Sequence, residues 1–105
     1  MSDSIEKFPV ELEITRILTS SVSPEMHLYL IHGIMDANQV GTLQEYLPLT
    51  TKIALEDDRW SIATVTSHKH LCEVYALFTD LAKSWRGAYY ALTNVFVDRC
   101  KEFCE

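Results

Sequence analysis

Sulfur and imidazole side chains near the end of the chain form the clearest candidate ligand cluster in this sequence. His68 and Cys72 are four residues apart, as are Cys100 and Cys104, so each pair lies on one face of a helix. If the two segments form an antiparallel hairpin with equal arms, the pairs meet at one end. Three thiolates and one imidazole then match a closed structural zinc site, with His70 replacing His68 if the helix start is unwound. Because cysteine is commonly buried as a small hydrophobe, we favour core packing and keep zinc as the alternative.

The number of cysteines bears on their redox state. Three cysteines without a secretory signal indicate reduced thiols rather than a disulfide framework. Cys100 and Cys104 on one helix have Cβ atoms about 5–6 Å apart, which is too far for a disulfide without unwinding the helix end. Cys72 near His68 is a thiol whose pKa an imidazole can lower, so a thiol-responsive regulatory domain belongs with the zinc alternative.

Signatures of catalysis are absent from the sequence. It contains no nucleophile elbow, phosphate-binding glycine loop, His-Glu-x-x-His pair or dinucleotide fingerprint. His27 and His32 are an odd number of residues apart, so a strand points them to opposite faces. The acidic run Glu56-Asp57-Asp58 lacks the alternating spacing of a calcium loop and is typical of a solvated turn. We therefore expect a protein that is not an enzyme.

Charge is distributed unevenly along the 105 residues, whose formal net charge is −6. Residues 1–58 carry ten acidic and three basic side chains, whereas residues 59–105 carry five acidic and six basic ones. An acidic half with few bases does not supply the clustered Lys and Arg that bind nucleic acid directly. It favours a basic protein partner, although an acidic excess also simply keeps a small protein soluble.

The first half of the chain has the patterns of an antiparallel sheet. Apolar residues alternate with acids between Phe8 and Ile14, which predicts a half-buried strand with Glu11 and Glu13 facing water. Residues 26–35 are apolar without a clean helical stripe, so a strand is favoured and a helix remains possible. Residues 50–55 and 60–66 then predict a hairpin joined by the four residues 56–59.

Helical patterns occupy the rest. Asp36 can cap a short helix ending before Pro48, and Thr66 or Ser67 can cap the last helical region. A single helix over residues 68–104 would be about 55 Å long, so a break at Gly87 giving helices at about 68–86 and 88–104 is favoured. These elements predict one compact α+β domain, with a small antiparallel sheet over about residues 8–66 covered on one face by two C-terminal helices.

A small acidic protein that acts by binding another protein is the function these observations favour. Its sharpest form is an inhibitor or immunity protein that neutralises a basic nuclease or nucleic-acid-binding target, and an adaptor or assembly subunit is the broader form. The expected partner-binding residues are exposed acids and a cluster near the helix break, since Trp, Tyr and Arg are common at hot spots: Glu11, Glu13, Glu56, Asp57, Asp58, Trp85, Arg86 and Tyr90.

Location and self-association are also predicted. The acidic start is unlike a signal peptide and no apolar run is long enough to span a membrane, so we expect a cytoplasmic protein without membrane contact. A homodimer through the C-terminal helices is a further expectation.

Overall fold

The structure, a computed structural model, describes residues 10–17, 23–84 and 88–105, with the side chains of residues 88–90 excepted. The strands are β1 (Glu11–Arg16), β2 (Leu28–Met35), β3 (Lys52–Glu56) and β4 (Arg59–Ser67). The helices are α1 (Ala37–Gln44), α2 (His68–Leu81) and α3 (Ala88–Cys104), and a 3₁₀ turn spans Pro24–Met26. Among the described helices, none is both long and apolar enough to cross a membrane.

The four strands form one antiparallel sheet in the order β1-β2-β4-β3. The strand prediction for residues 26–35 is confirmed, because β2 lies in the centre of the sheet between β1 and β4. The predicted alternation in the first strand is also confirmed, since Leu12 is buried whereas Glu11 and Glu13 are exposed. Phe8 and Leu18 lie outside the described residues.

The helices pack on one face of this sheet, which confirms the α+β architecture. α2 and α3 form the expected hairpin, and their buried side chains meet those of β1, β2 and β4. The largest fully buried apolar side chains come from both layers: Phe78, Phe96, Ile31, Met35, Leu43, Ile62, Leu71 and Leu92. The core therefore lies between the sheet and the helices, and the other sheet face has no described element over it.

α1 and α2 each begin directly after a residue whose side chain caps the helix. The Asp36 carboxylate accepts from the Gln39 amide at 2.8 Å while the Gln39 side chain accepts from the Asp36 amide at 3.0 Å, a capping box at the start of α1. Ser67 caps α2 by accepting from the His70 amide at 3.2 Å. α1 ends at Gln44, before the expected limit at Pro48, because the chain tightens into turns from Glu45 onward.

The C-terminal ends show one further difference from expectation. α2 ends at Leu81 rather than near residue 86, with a turn over residues 82–84, whereas α3 has the predicted extent. Gly87 lies outside the described residues. α3 is joined to the first strand by the Arg99 side chain, whose Nε donates to the carbonyl oxygen of Leu12 at 3.1 Å.

Candidate binding surface

The sheet face opposite the helices, which we call the open face, carries several of the predicted binding residues. Directly paired residues of neighbouring strands point to the same face, so the strand register defines rows of side chains across the sheet. Three rows cross the open face: Glu11, Ile34, Ser61 and Ala54; Glu13, His32, Ala63 and Lys52; Thr15, Leu30 and Val65. The two central strands thus place four apolar side chains with His32 and Ser61 in the middle of the open face, and the charged residues Glu11, Glu13 and Lys52 lie at its edges.

The acidic residues predicted to bind a partner come together at one end of the open face. Glu11 lies in the row nearest that end, and the turn between β3 and β4 carries Glu56, Asp57 and Asp58. Arg59, at the start of β4, connects the two groups, because its Nη2 lies 3.9 Å from the Glu11 carboxylate. We call this region the acidic end.

The turn at the acidic end is shorter than predicted. Glu56 and Arg59 pair across the strands, so only Asp57 and Asp58 form the connection instead of the four residues expected. Their φ angles are 49° and 65°, the left-handed conformation that a two-residue hairpin turn requires. Aspartate adopts this conformation more readily than most residues, and it directs both carboxylates into solvent here.

The acidic end carries a net negative charge, since Arg59 is its one basic residue beside four acidic ones. The ion pair between Glu11 and the partly buried Arg59 reduces the local negative charge. In the described part of the chain, no basic side chain forms an ion pair with Glu13, Asp57 or Asp58. These carboxylates are available to attract a positively charged surface.

The other predicted binding cluster cannot be placed. Trp85 and Arg86 lie outside the described residues, as does the side chain of Tyr90, whose backbone belongs to α3.

The helical hairpin brings His68, Cys72 and Cys104 together as predicted, but their chemistry differs from the prediction. Cys72 and Cys104 form a disulfide that joins the start of α2 to the end of α3. The prediction of reduced thiols was therefore wrong for these two residues, because the antiparallel helices bring their Cα atoms to 5.5 Å, within disulfide range. The prediction that Cys100 and Cys104 do not bridge is confirmed.

Two further groups complete this cluster. The Nε2 atom of His68 lies 3.5 Å from the sulfur of Cys72, and its Nδ1 lies 3.3 Å from the Tyr29 hydroxyl. Cys100 is a free thiol buried in the core, and burial raises its pKa to about 12.

Within the described ranges, no three His, Cys, Asp or Glu side chains are arranged to hold a metal. A disulfide occupies two of the four sulfur and imidazole groups named for zinc, so zinc would need those two reduced.

His70, the alternative ligand, has its Nε2 2.9 Å from the carbonyl oxygen of Tyr46, whereas His27 and His32 lie apart, as expected for a strand. His27 is buried just before β2, with its Nδ1 3.4 Å from Arg16 Nη1, whereas His32 is exposed on the open face.

Sequence reasoning missed the apolar part of the open face. β2 carries Tyr29, Ile31 and Met35 toward the helices and Leu28, Leu30 and Ile34 toward the open face. The signal was present in the unbroken apolar run of residues 28–31, because a strand with one solvated face should alternate apolar and polar residues. Lys52 was also missed, since its place in a row with Glu13 depends on the pairing of all four strands.

Comparison with known proteins adds no assignment, since no protein-family model, curated protein or solved structure significantly matches this chain.

Proposed function

We propose that this chain is a small non-catalytic protein that acts by binding a basic protein through its acidic end. The observation that carries the proposal is that Glu11, Glu56, Asp57 and Asp58, from opposite edges of the sheet, all lie at one end of the open face. Clustered carboxylates steer a basic partner and increase its association rate more than scattered ones do.

Several kinds of partner fit this chemistry. An inhibitor or immunity protein that neutralises a nuclease or another nucleic-acid-binding protein is the sharpest form, because such targets present basic surfaces. An adaptor or assembly subunit is the broader form. We propose a cytoplasmic location, with no direct contact to nucleic acid or membrane.

Capture of a partner from the native source at moderate salt, with mass spectrometry of what co-purifies, tests the proposal. We expect one basic protein in near-equal amount, whose capture weakens as salt is raised. The matched variant is Glu56→Gln/Asp57→Asn/Asp58→Asn, which removes three charges and keeps residues that tolerate the turn. Capture should fall about five- to tenfold, since each rim charge contributes a few tenths of a kcal/mol.

The control variant Glu25→Gln/Glu45→Gln/Glu102→Gln removes the same charge from exposed positions away from the open face. It should retain most of the capture. Equal loss in both variants would mean that only net charge matters, and no stoichiometric partner at all would argue against a binding protein and make metal analysis the next step.

A thiol-responsive regulatory domain is the second candidate function, favoured by the Cys72–Cys104 disulfide beside His68. Disulfides in a reducing compartment are usually transient or redox-sensing, so this bond would open and close with the redox state of the cell. Trapping the thiols with an alkylating agent during lysis would report the fraction oxidised. A bond that is fully oxidised or fully reduced under every growth condition would exclude this role.

A further inference from the structure

An apolar strip on the open face is the feature that neither the core nor the acidic end explains. Leu30, Ala63 and Val65 line a shallow depression of about 380 Å³ on this face, together with Thr50 and Lys52. Val65 is 45% exposed although it lies on a central strand. In contrast, the apolar stripes of α2 and α3 are already covered by the sheet. The open face is therefore the better candidate for an interface.

Charges at the two edges of the open face are opposite and lie in one row. Glu13 is on edge strand β1 and Lys52 is on edge strand β3, and the row between them holds His32 and Ala63. Three strand spacings separate them, about 14 Å, so they do not pair within one chain. Both side chains are exposed, and no ion pair to either is present among the described residues.

We propose that the open face is a homodimer interface in which a second copy of this chain packs sheet against sheet. The two-fold axis lies between the two sheets and is parallel to their strands. Each row of side chains then faces the same row of the second copy, with the strands in reverse order. Glu13 of one copy then faces Lys52 of the other, and the same contact occurs twice because a two-fold interface is self-complementary. In the next row, Leu30 faces Val65 of the second copy, so the apolar strips cover one another.

Other arrangements fit these residues less well. A two-fold axis across the strands would place β1 on β1, so acidic edges would face each other and Lys52 would face its own copy. An unrelated partner would need a base opposite Glu13 and an acid opposite Lys52, and this chain has both. Sheets packed face to face keep their strands within about 30° of each other, which both axes satisfy, so the charge pairing decides between them.

The size of the face predicts a weak dimer. Four strands with a mean length of seven residues give about 450 Å² of projected area per copy, or about 900 Å² in total, from standard strand spacings. That is near the lower limit of specific interfaces, so we expect a concentration-dependent dimer in the micromolar range. Since the axis is parallel to the strands, the two acidic ends would lie side by side, and repulsion between them would weaken the dimer further. The dimer itself does not depend on the proposed function.

Analytical ultracentrifugation of the purified chain over a range of concentrations tests the dimer, with Glu13→Lys and Lys52→Glu as single variants. Each variant turns both interface pairs into repulsive ones, and we expect its dissociation constant to rise about tenfold or more. The double variant Glu13→Lys/Lys52→Glu restores opposite charges and should dimerise like the original chain.

Mixing the two single variants gives the sharpest result. A Glu13→Lys chain has two lysines in the row and a Lys52→Glu chain has two glutamates, so the mixture should form a heterodimer that neither variant forms alone. Glu102→Lys is the control, since it makes the same charge change on α3, away from the open face, and should leave the dimer unchanged.

Three outcomes would overturn the proposal. They are a chain that stays monomeric up to about 0.5 mM, well above micromolar affinity, a dimer that neither single variant weakens, and a mixture that does not associate. The second outcome would favour the C-terminal helices as the interface. Circular dichroism of each variant establishes that a loss of dimer is not a loss of fold.

Discussion

At the scale of single residues, Gly33 is a position where the sheet leaves no room for a side chain. It lies on β2 facing the helices, and a Cβ atom there would come within 2.8 Å of Leu12 Cδ1 and Met35 Cε and 2.9 Å of the Glu11 carbonyl oxygen. The side-chain ends can shift, but the backbone oxygen cannot move without disturbing the pairing of β1 with β2. The absence of a side chain at Gly33 thus allows β1 to pair with β2 at this close distance.

Gly33→Ala should destabilise the fold by about 1–3 kcal/mol, the usual range for overpacking a core. Gly41→Ala is the matched control, because nothing lies within 4 Å of a Cβ at that exposed position on α1. It should raise stability by up to about 1 kcal/mol through helix propensity. Urea denaturation of both variants gives the two free energies of unfolding, and equal changes would contradict this account.

Cys100 allows a prediction about reactivity and pH. Burial raises the pKa of its thiol from 9.0 to about 12, so in the folded protein at pH 8 it is protonated and shielded. Without reductant, iodoacetamide should add nothing to the native chain and one adduct to the denatured chain, as read from intact mass. Rapid alkylation of Cys100 in the native protein would contradict its burial.

The raised pKa of Cys100 also makes the stability of the fold depend on pH. The folded protein holds the Cys100 proton more tightly than the unfolded chain does, so the unfolded chain loses it first as pH rises. Cys100 therefore contributes stability that is complete below about pH 9 and declines between pH 9 and 12.

At the scale of elements, the disulfide fastens the helical hairpin at its open end. Cys72 lies in the first turns of α2 and Cys104 is the last residue of α3, with a sequence separation of 32. Tyr75 supports this junction, because its hydroxyl donates to the Glu105 carboxylate, a contact that raises the pKa of Tyr75. The disulfide thus holds the two helices together at the end of the hairpin opposite the α2–α3 connection.

Removing the disulfide with Cys72→Ser/Cys104→Ser should lower stability by about 3–4 kcal/mol, the loop-entropy estimate for a ring of this size. Thermal or urea unfolding with and without a thiol reductant measures the effect. The reductant should destabilise the original chain and leave the double variant unchanged. An original chain insensitive to reductant, with its thiols shown to be free, would contradict the role of the bond.

At the scale of the whole molecule, sequence patterns predicted the layers better than the contacts between distant elements. The alternation in β1 was informative because its acids face water, whereas β2 was ambiguous because both of its faces are apolar. Ser67 and Asp36 marked helix starts through local chemistry that needs no tertiary information.

The acidic end and the disulfide depend on long-range geometry instead. Glu11 and Glu56 lie on opposite edge strands, so their placement at the same end of the sheet follows from the strand order and register, which no local pattern carries. The Cys72–Cys104 bond likewise follows from where α2 and α3 meet, although the equal arms of the hairpin already placed these residues at one end. The number of cysteines predicted reduced thiols wrongly, because a disulfide depends on which two cysteines lie close together and not on how many the chain has.

The contact between Arg99 and Leu12 has a consequence for how the chain is made. It joins residues 87 positions apart, the first strand to the last helix, and α3 also covers the buried side of β1. During synthesis β1 therefore emerges from the ribosome long before α3, its partner, exists. The native core therefore cannot close over β1 until α3 has emerged.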